Sequence, residues 1–235
     1  MNEANLTTAW QEMIGHNPSP ITPEILTAIW EEIAGHLVSI PGFGMTILPE
    51  EAACLNFFAK SPVALGVTVE LGAYYGGGSV ALGLGCKSIG QQLISVDTWR
   101  GTTLKPHWQW MPGEDIFQAW AAAIWQAGLT NTVLPLVGMF DDVLCHWRWP
   151  IRLLYSDGYH TYEAVKHDVE TWSPHIHHGG MLLIHDYKSD PPLEGVDRYV
   201  DELAASGGRF TYLGCIGRIA IFQADLDKEE EEKCG

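Results

Sequence analysis

Residues 67–97 read VTVELGAYYGGGSVALGLGCKSIGQQLISVD, and this stretch decides the fold. Val67, Val69 and Leu71 form an apolar, partly β-branched run that stops at Gly72, with Gly76, Gly77 and Gly78 close behind. A run of this kind bounded by glycines predicts a buried strand that opens into a flexible turn. Ser79 to Leu84 is built of small residues and predicts a helix, and Gln92 to Val96 predicts a second buried strand ending in Asp97. Together they make a βαβ unit.

Such a unit brings a glycine loop and a carboxylate to the carboxyl ends of adjacent parallel strands, where open α/β sheets bind their ligands. Asp97 lies about 20 to 25 residues past the loop, the spacing at which an acid accepts hydrogen bonds from both hydroxyls of a ribose. The pattern points to a nucleoside. A dinucleotide fits less well: Gly72 and Gly76 are separated by three residues instead of forming G-x-G-x-x-G, and Glu70 beside the loop would repel phosphate. A tight turn with no ligand is the remaining reading.

The rest of the chain limits what this unit belongs to. At 235 residues it has room for one sizeable α/β domain with an N-terminal extension. Hydrophobic content is 46%, with no apolar run near the ~18 to 20 residues that cross a bilayer, so the expectation is a soluble, cytoplasmic protein. A formal net charge of −16 argues against nucleic acid and anionic membrane as partners. Five scattered cysteines with no C-x-x-C pair suggest neither a disulfide framework nor a zinc site.

Taken in order, Leu6–Ile14 predicts a short helix, Thr22-Pro23-Glu24 a helix start whose Ile25, Ile29, Ile33 and Leu37 share one face, and Pro49 a third helix. Thr98 to Pro112 is rich in Gly, Pro and Trp. It reads either as a cover in which Trp99, Trp108 and Trp110 close over a small-molecule acceptor with His107 or Arg100, or as packing or a homo-oligomer contact. Helix is predicted at Glu114–Ala127, Tyr162–Trp172 and Val196–Ala205. Strands are predicted at Val133–Val137, Arg152–Ser156 and Met181–His185, with a closing antiparallel pair at Arg209–Leu213 and Arg218–Phe222. His175, His177 and His178 read as the end of a helix before Gly179-Gly180.

VELGAYYGGGS resembles the first motif of the class I S-adenosylmethionine (SAM) dependent methyltransferases, with Ser79 one residue later than in relatives because of an extra glycine. A narrower resemblance comes from DGYHTYEAV at 157–165 and GGMLLIHDY at 179–187. These are similar to the pattern of metal-dependent O-methyltransferases that include macrocin-type sugar O-methyltransferases and cephalosporin-hydroxylase-like proteins. The resemblance implies a Rossmann-like α/β fold: a seven-stranded, mostly parallel sheet with an antiparallel last strand, helices on both faces and an N-terminal helical extension. It implies an extension at 1–48, a methyltransferase domain at 49–224 and an acidic tail at 225–235. A SAM site made by Glu70, Gly72, Ala73, Tyr74, Gly76, Ser79, Asp97, Thr98, Met139, Phe140 and Asp157 follows from it, with Asp141 a less firm contact.

If the strands ending in Asp157 and Asp186 are neighbours, as the family's sheet order implies, their ends lie ~5 Å apart. Two carboxylates that close call for a cation. A divalent metal held by Asp157, Asp186 and His185 resolves the repulsion, with Mg²⁺ the first expectation and His185 tilting it toward a transition metal. Asp157 would act through that metal on an acceptor hydroxyl; His160 reads as the general base or as an orienting hydrogen bond within its loop, His185 as a metal ligand, a substrate contact or a support for the ligands, and Tyr159 stands where many relatives have a second acid. The function implied is O-methylation of a small hydroxylated metabolite, a sugar or natural-product intermediate. The competing readings are a catalytically degenerate SAM-binding interaction protein and a nicotinamide oxidoreductase.

Overall fold

A computed structural model describes residues 21–61, 64–100 and 116–225. The helix at Leu6–Ile14, the part of the cover that carries His107, Trp108 and Trp110, and the acidic tail from 226 on lie outside the described residues. Two helices, α1 (Pro23–Leu37) and α2 (Pro49–Lys60), precede the sheet. The chain then alternates through β1 (Val67–Leu71), α3 (Gly77–Ser88), β2 (Leu93–Asp97), α4 (Ile116–Gln126), β3 (Val133–Val137), α5 (Phe140–Leu144), β4 (Ile151–Ser156), α6 (Tyr162–Trp172) and β5 (Ile176–Ile184). It closes with α7 (Glu194–Ala205), β6 (Phe210–Ile216) and β7 (Ile219–Ala224).

The seven strands lie in the order β3-β2-β1-β4-β5-β7-β6. The first five are parallel, and β7 runs antiparallel between β5 and β6. The fold is the one the family resemblance implied.

Alternation along the strands sorts side chains to the two faces. Leu153, Tyr155, Met181, Leu183, Ile219 and Ile221 pack under α1 to α4. Leu154, Leu182, Ile184, Ala220 and Phe222 pack under α5 to α7. The helices before β1, which the sequence left unplaced, belong to the first of these layers. Ala52, Ala53, Cys54 and Leu55 of α2 are all fully buried, and Gly85 lets α2 touch α3, since a Cβ there would lie 2.6 Å from the Asn56 carbonyl oxygen. Arg152, buried on β4, donates to the carbonyls of Ala59 and Ser61 at the end of α2, where a cation complements the helix dipole. Among the described residues, no helix is long and apolar enough to cross a membrane.

One local expectation is corrected. His175, His177 and His178 do not end a helix: α6 stops at Trp172, a 3₁₀ turn containing Pro174 covers Ser173–His175, and His177 and His178 already lie in β5. Pro174 allows the turn but cannot continue helical hydrogen bonding, and Ile176 then registers with Ile151 of β4.

Candidate active site

Strand register assembles the site. Val96, Leu71, Ser156 and Ile184 lie in one row across β2, β1, β4 and β5. One residue further on, at the carboxyl ends of these strands, come Asp97, Gly72, Asp157 and His185. Gly72 is required by the closeness of its neighbour: at φ 89°, a Cβ there would lie 2.1 Å from the Asp157 carbonyl oxygen.

Asp97 closes the loop that follows β1. Its Oδ2 accepts from the Ala73 and Tyr74 amides at 2.8 and 3.0 Å, and its Oδ1 accepts from the Trp99 amide at 2.7 Å. Each carboxylate oxygen offers two lone pairs, so the clasp leaves one, on Oδ1, for a hydroxyl donor. Thr98 is half-buried and its Oγ1 accepts from the Arg100 amide, while Trp99 is buried against Phe117 and Trp120. The Trp99 indole is therefore part of the core.

Glu70 and Ser79 are turned to each other beneath the loop. Glu70 Oε2 accepts from Ser79 Oγ at 2.5 Å and Ser95 Oγ at 2.6 Å, and Ser79 Oγ accepts from the Trp120 indole at 2.8 Å. Gly78, the extra glycine, makes room for this arrangement, since a Cβ there would stand 2.5 Å from Glu70 Oε1. Burial, opposed by the two serine bonds, pushes the Glu70 carboxyl up to about 8. A neutral, inward-facing Glu70 repels phosphate little, so the case against a dinucleotide rests on the glycine spacing. Gly76, at φ 98°, begins α3 in the left-handed region and backs onto Trp120.

Beyond β3, Met139 is 55% exposed, whereas the Phe140 ring packs over Gly158, where an added Cβ would meet it at 2.8 Å. Asp141 pairs with His167 at 2.8 Å. Beneath Phe140 lies Asp168 of α6, its Oδ2 3.0 Å from that same Cβ position. Burial, with a smaller opposing effect of His167, pushes the Asp168 carboxyl from 3.8 up to about 7.

Between these values the folded protein keeps a proton that the unfolded chain has lost, so stability falls as pH rises through that window. Asp168→Asn removes the liability. It is expected to stabilise by about 2 to 3 kcal/mol near pH 8 and by less near pH 5, in urea unfolding at the two pH values.

The second cluster gathers at the ends of β4 and β5. His160 Nε2 lies 3.0 Å from Asp186 Oδ2 and 3.9 Å from Asp157 Oδ1. Donor atoms of Asp157, His160 and Asp186 all fall within 4.8 Å of one another. Of the ligands proposed from sequence, the two aspartates meet here, and the imidazole between them is His160. His185 stands behind: Nδ1 is 3.2 Å from Asp157 Oδ1 and Nε2 is 3.2 Å from Glu51 Oε2.

Burial alone would lower both imidazole pKa values, but the carboxylates outweigh it, pushing His160 up to about 9 and His185 up to about 10. Asp157, half-buried, is held well below the usual carboxylate range by His185 and His160, and it accepts from the Tyr155 hydroxyl at 3.1 Å.

Sequence reasoning passed over Glu51 and Arg218. Glu51 is fully buried and accepts from the Leu48 amide, His185 and the Arg218 fork, whose Nη1 also reaches Asp186 Oδ1 at 3.2 Å. Burial would raise the Glu51 carboxyl, yet His185 and Arg218 hold it down at about 2. The local signal for Glu51 was its place three residues after Leu48, where an acid reaches back to the first free amide of a helix.

A curated relative, the uncharacterized protein y4gI of Sinorhizobium fredii, is 30% identical over 145 residues, which is 58% of this chain and 15% of that much longer protein. The O-methyltransferase TomG of Streptomyces achromogenes, involved in tomaymycin synthesis and solved with SAM, superimposes with a TM-score of 0.57 at 12% identity, covering 96% of this chain and 99% of TomG. CalS11, a TDP-rhamnose 3′-O-methyltransferase of calicheamicin biosynthesis, gives a TM-score of 0.53 at 15% identity, covering 94% of each chain. At these identities the two structures speak for the fold. The methyltransferase domain family matches residues 69–187, from the middle of β1 through the HDY motif, and the chain belongs to that family.

Proposed function

We propose that the chain is a SAM-dependent O-methyltransferase that acts on a small hydroxylated molecule, a sugar or natural-product intermediate, with help from a divalent cation. The observation that carries this reading is the single row at the sheet edge. It sets a ribose-type acid, Asp97, two strands away from a carboxylate and imidazole cluster at Asp157, Asp186 and His160. Cofactor and acceptor would thus meet across β1 and β4. The likeness to TomG, solved with SAM, supports that cofactor, and the likeness to CalS11, a TDP-rhamnose 3′-O-methyltransferase, supports a sugar-like acceptor.

The donor set fits a divalent cation. Two carboxylates with an imidazole favour a first-row transition metal such as Mn²⁺ over Mg²⁺, which prefers oxygen alone. Asp157, Asp186 and His160 would hold it, with His185 and Arg218 as partners of the two acids. When bound, it would lower the pKa of an acceptor hydroxyl and fix its direction.

The chain's own residues do the rest. Asp97 orients the ribose, and the loop at Ala73 and Tyr74 positions the methionyl end. His160 Nε2 lies between the two acids, and where it holds the cation it has no lone pair left to take the acceptor's proton, so ligand and general base are exclusive roles at that nitrogen.

Asp97→Ala is expected to weaken S-adenosylhomocysteine (SAH) binding about 10- to 100-fold by calorimetry, since it removes a hydrogen bond to a charged acceptor. The reading as a whole is tested by incubating the protein with SAM and a panel of nucleotide sugars and phenolic acceptors, with Mn²⁺ or with chelator. A methylated product that requires the metal supports it. SAM bound tightly with no product from any acceptor would instead favour a degenerate binding protein.

A further inference from the structure

A long-range contact at the site joins α2 to the turn between β6 and β7. Glu51 Oε1 accepts from both the backbone amide and Nε of Arg218 at 2.8 Å, and Oε2 accepts from Arg218 Nη2 at 2.8 Å. The turn comes this close because Gly217 precedes Arg218: at φ 55°, a Cβ on Gly217 would stand 2.7 Å from Glu51 Cγ.

A buried Glu–Arg pair is by itself weak evidence of a stabilising role. What distinguishes this one is where its remaining polar atoms go. Arg218 Nη1 donates to Asp186 Oδ1 at 3.2 Å, and the Arg218 carbonyl accepts from the Tyr187 amide at 2.9 Å, so one residue holds both the side chain of Asp186 and the peptide after it. Asp186 needs that hold, because its backbone is left-handed at φ 62°. On the other side, Glu51 fixes His185, whose second nitrogen meets Asp157.

We propose that Glu51 and Arg218 form a positioning pair. Glu51 anchors Arg218 and His185; Arg218 aims Asp186, and His185, whose Nδ1 lies 3.2 Å from Asp157 Oδ1 and 3.5 Å from Asp186 Oδ1, braces both site acids at the common point beside His160. The inference rests on the metal reading above. It explains why Asp186 offers Oδ2 to the site: Oδ1 is occupied by the guanidinium. It also makes α2 part of the active site. Partners that orient a metal's ligands typically change metal affinity 10- to 100-fold when removed.

The test is Mn²⁺ binding to the purified full chain, followed by electron paramagnetic resonance of the free ion, with SAH affinity and thermal unfolding measured on the same samples. Arg218→Lys keeps the charge but, lacking the fork, reaches only one carboxylate. This variant is expected to stay folded and bind SAH like the wild type, while Mn²⁺ affinity falls about 10- to 100-fold. Glu51→Gln, which keeps the shape and an acceptor for Leu48, is expected to show the same split. A folded Arg218→Lys protein with wild-type Mn²⁺ affinity overturns the positioning role and leaves the metal reading intact. Failure of both variants to fold assigns the pair to the fold alone and overturns it as well. A wild-type protein that takes up no Mn²⁺ removes the metal reading and this inference with it, an outcome visible before any variant is compared.

Discussion

Asp157→Asn is expected to lower methyl transfer by about a thousandfold or more while leaving SAH affinity within a few-fold of wild type, since a metal-held acceptor oxygen accounts for several kcal/mol of the barrier. The substitution keeps shape and removes charge. Asp157 Oδ1 faces His185 and His160, and Oδ2 accepts from Tyr155. An amide in that place loses one acceptor and points a donor at a partner that also donates. Asp97, two strands away, keeps its clasp on the Ala73 and Tyr74 amides. Rates of SAH formation set beside SAH dissociation constants check the split; equal losses in both would mean that Asp157 serves the cofactor instead of the acceptor.

Glu51→Ala is expected to destabilise the fold by about 3 to 5 kcal/mol in denaturant titration at neutral pH, the range for breaking a buried pair by removing one partner. It strands Arg218 and His185, and it frees the Leu48 amide at the start of α2. The pH dependence gives a second check. Glu51 is held at about 2 against an ordinary 4.5, so its contribution is fully present above the ordinary value and is lost as pH falls toward 2. The gap between wild type and variant should therefore narrow in acid.

How much of this could be read from sequence follows from the range of each signal. The β1–α3–β2 unit was legible because its strands and glycines are local. So was α6 at Tyr162–Trp172, which Thr161 caps through the Ala164 amide at 3.3 Å. The roles of the glycines were not legible. Gly72, Gly77 and Gly78 are explained by close contact with the protein's own Asp157 backbone, Ile47 and Glu70.

The two histidines show how a signal can be present and missed. Adjacency to Asp186 made His185 the natural third ligand, but strand alternation sends it the way of Met181 and Leu183, under α2, where Glu51 waits. The left-handed turn at Asp186 then brings that carboxylate to His160. Glu51 and Arg218 are 167 residues apart, and no local pattern links them.

The central claim is that a cofactor on Asp97 and a cation among Asp157, Asp186 and His160 occupy one sheet edge. A crystal structure of the protein grown with SAH and Mn²⁺, with anomalous data collected at the manganese edge, tests it most directly. The account predicts a ribose hydroxyl on Asp97 and an anomalous peak touching Asp157, Asp186 and His160. SAH bound away from Asp97, or full-occupancy SAH with no peak between the two aspartates, would contradict it.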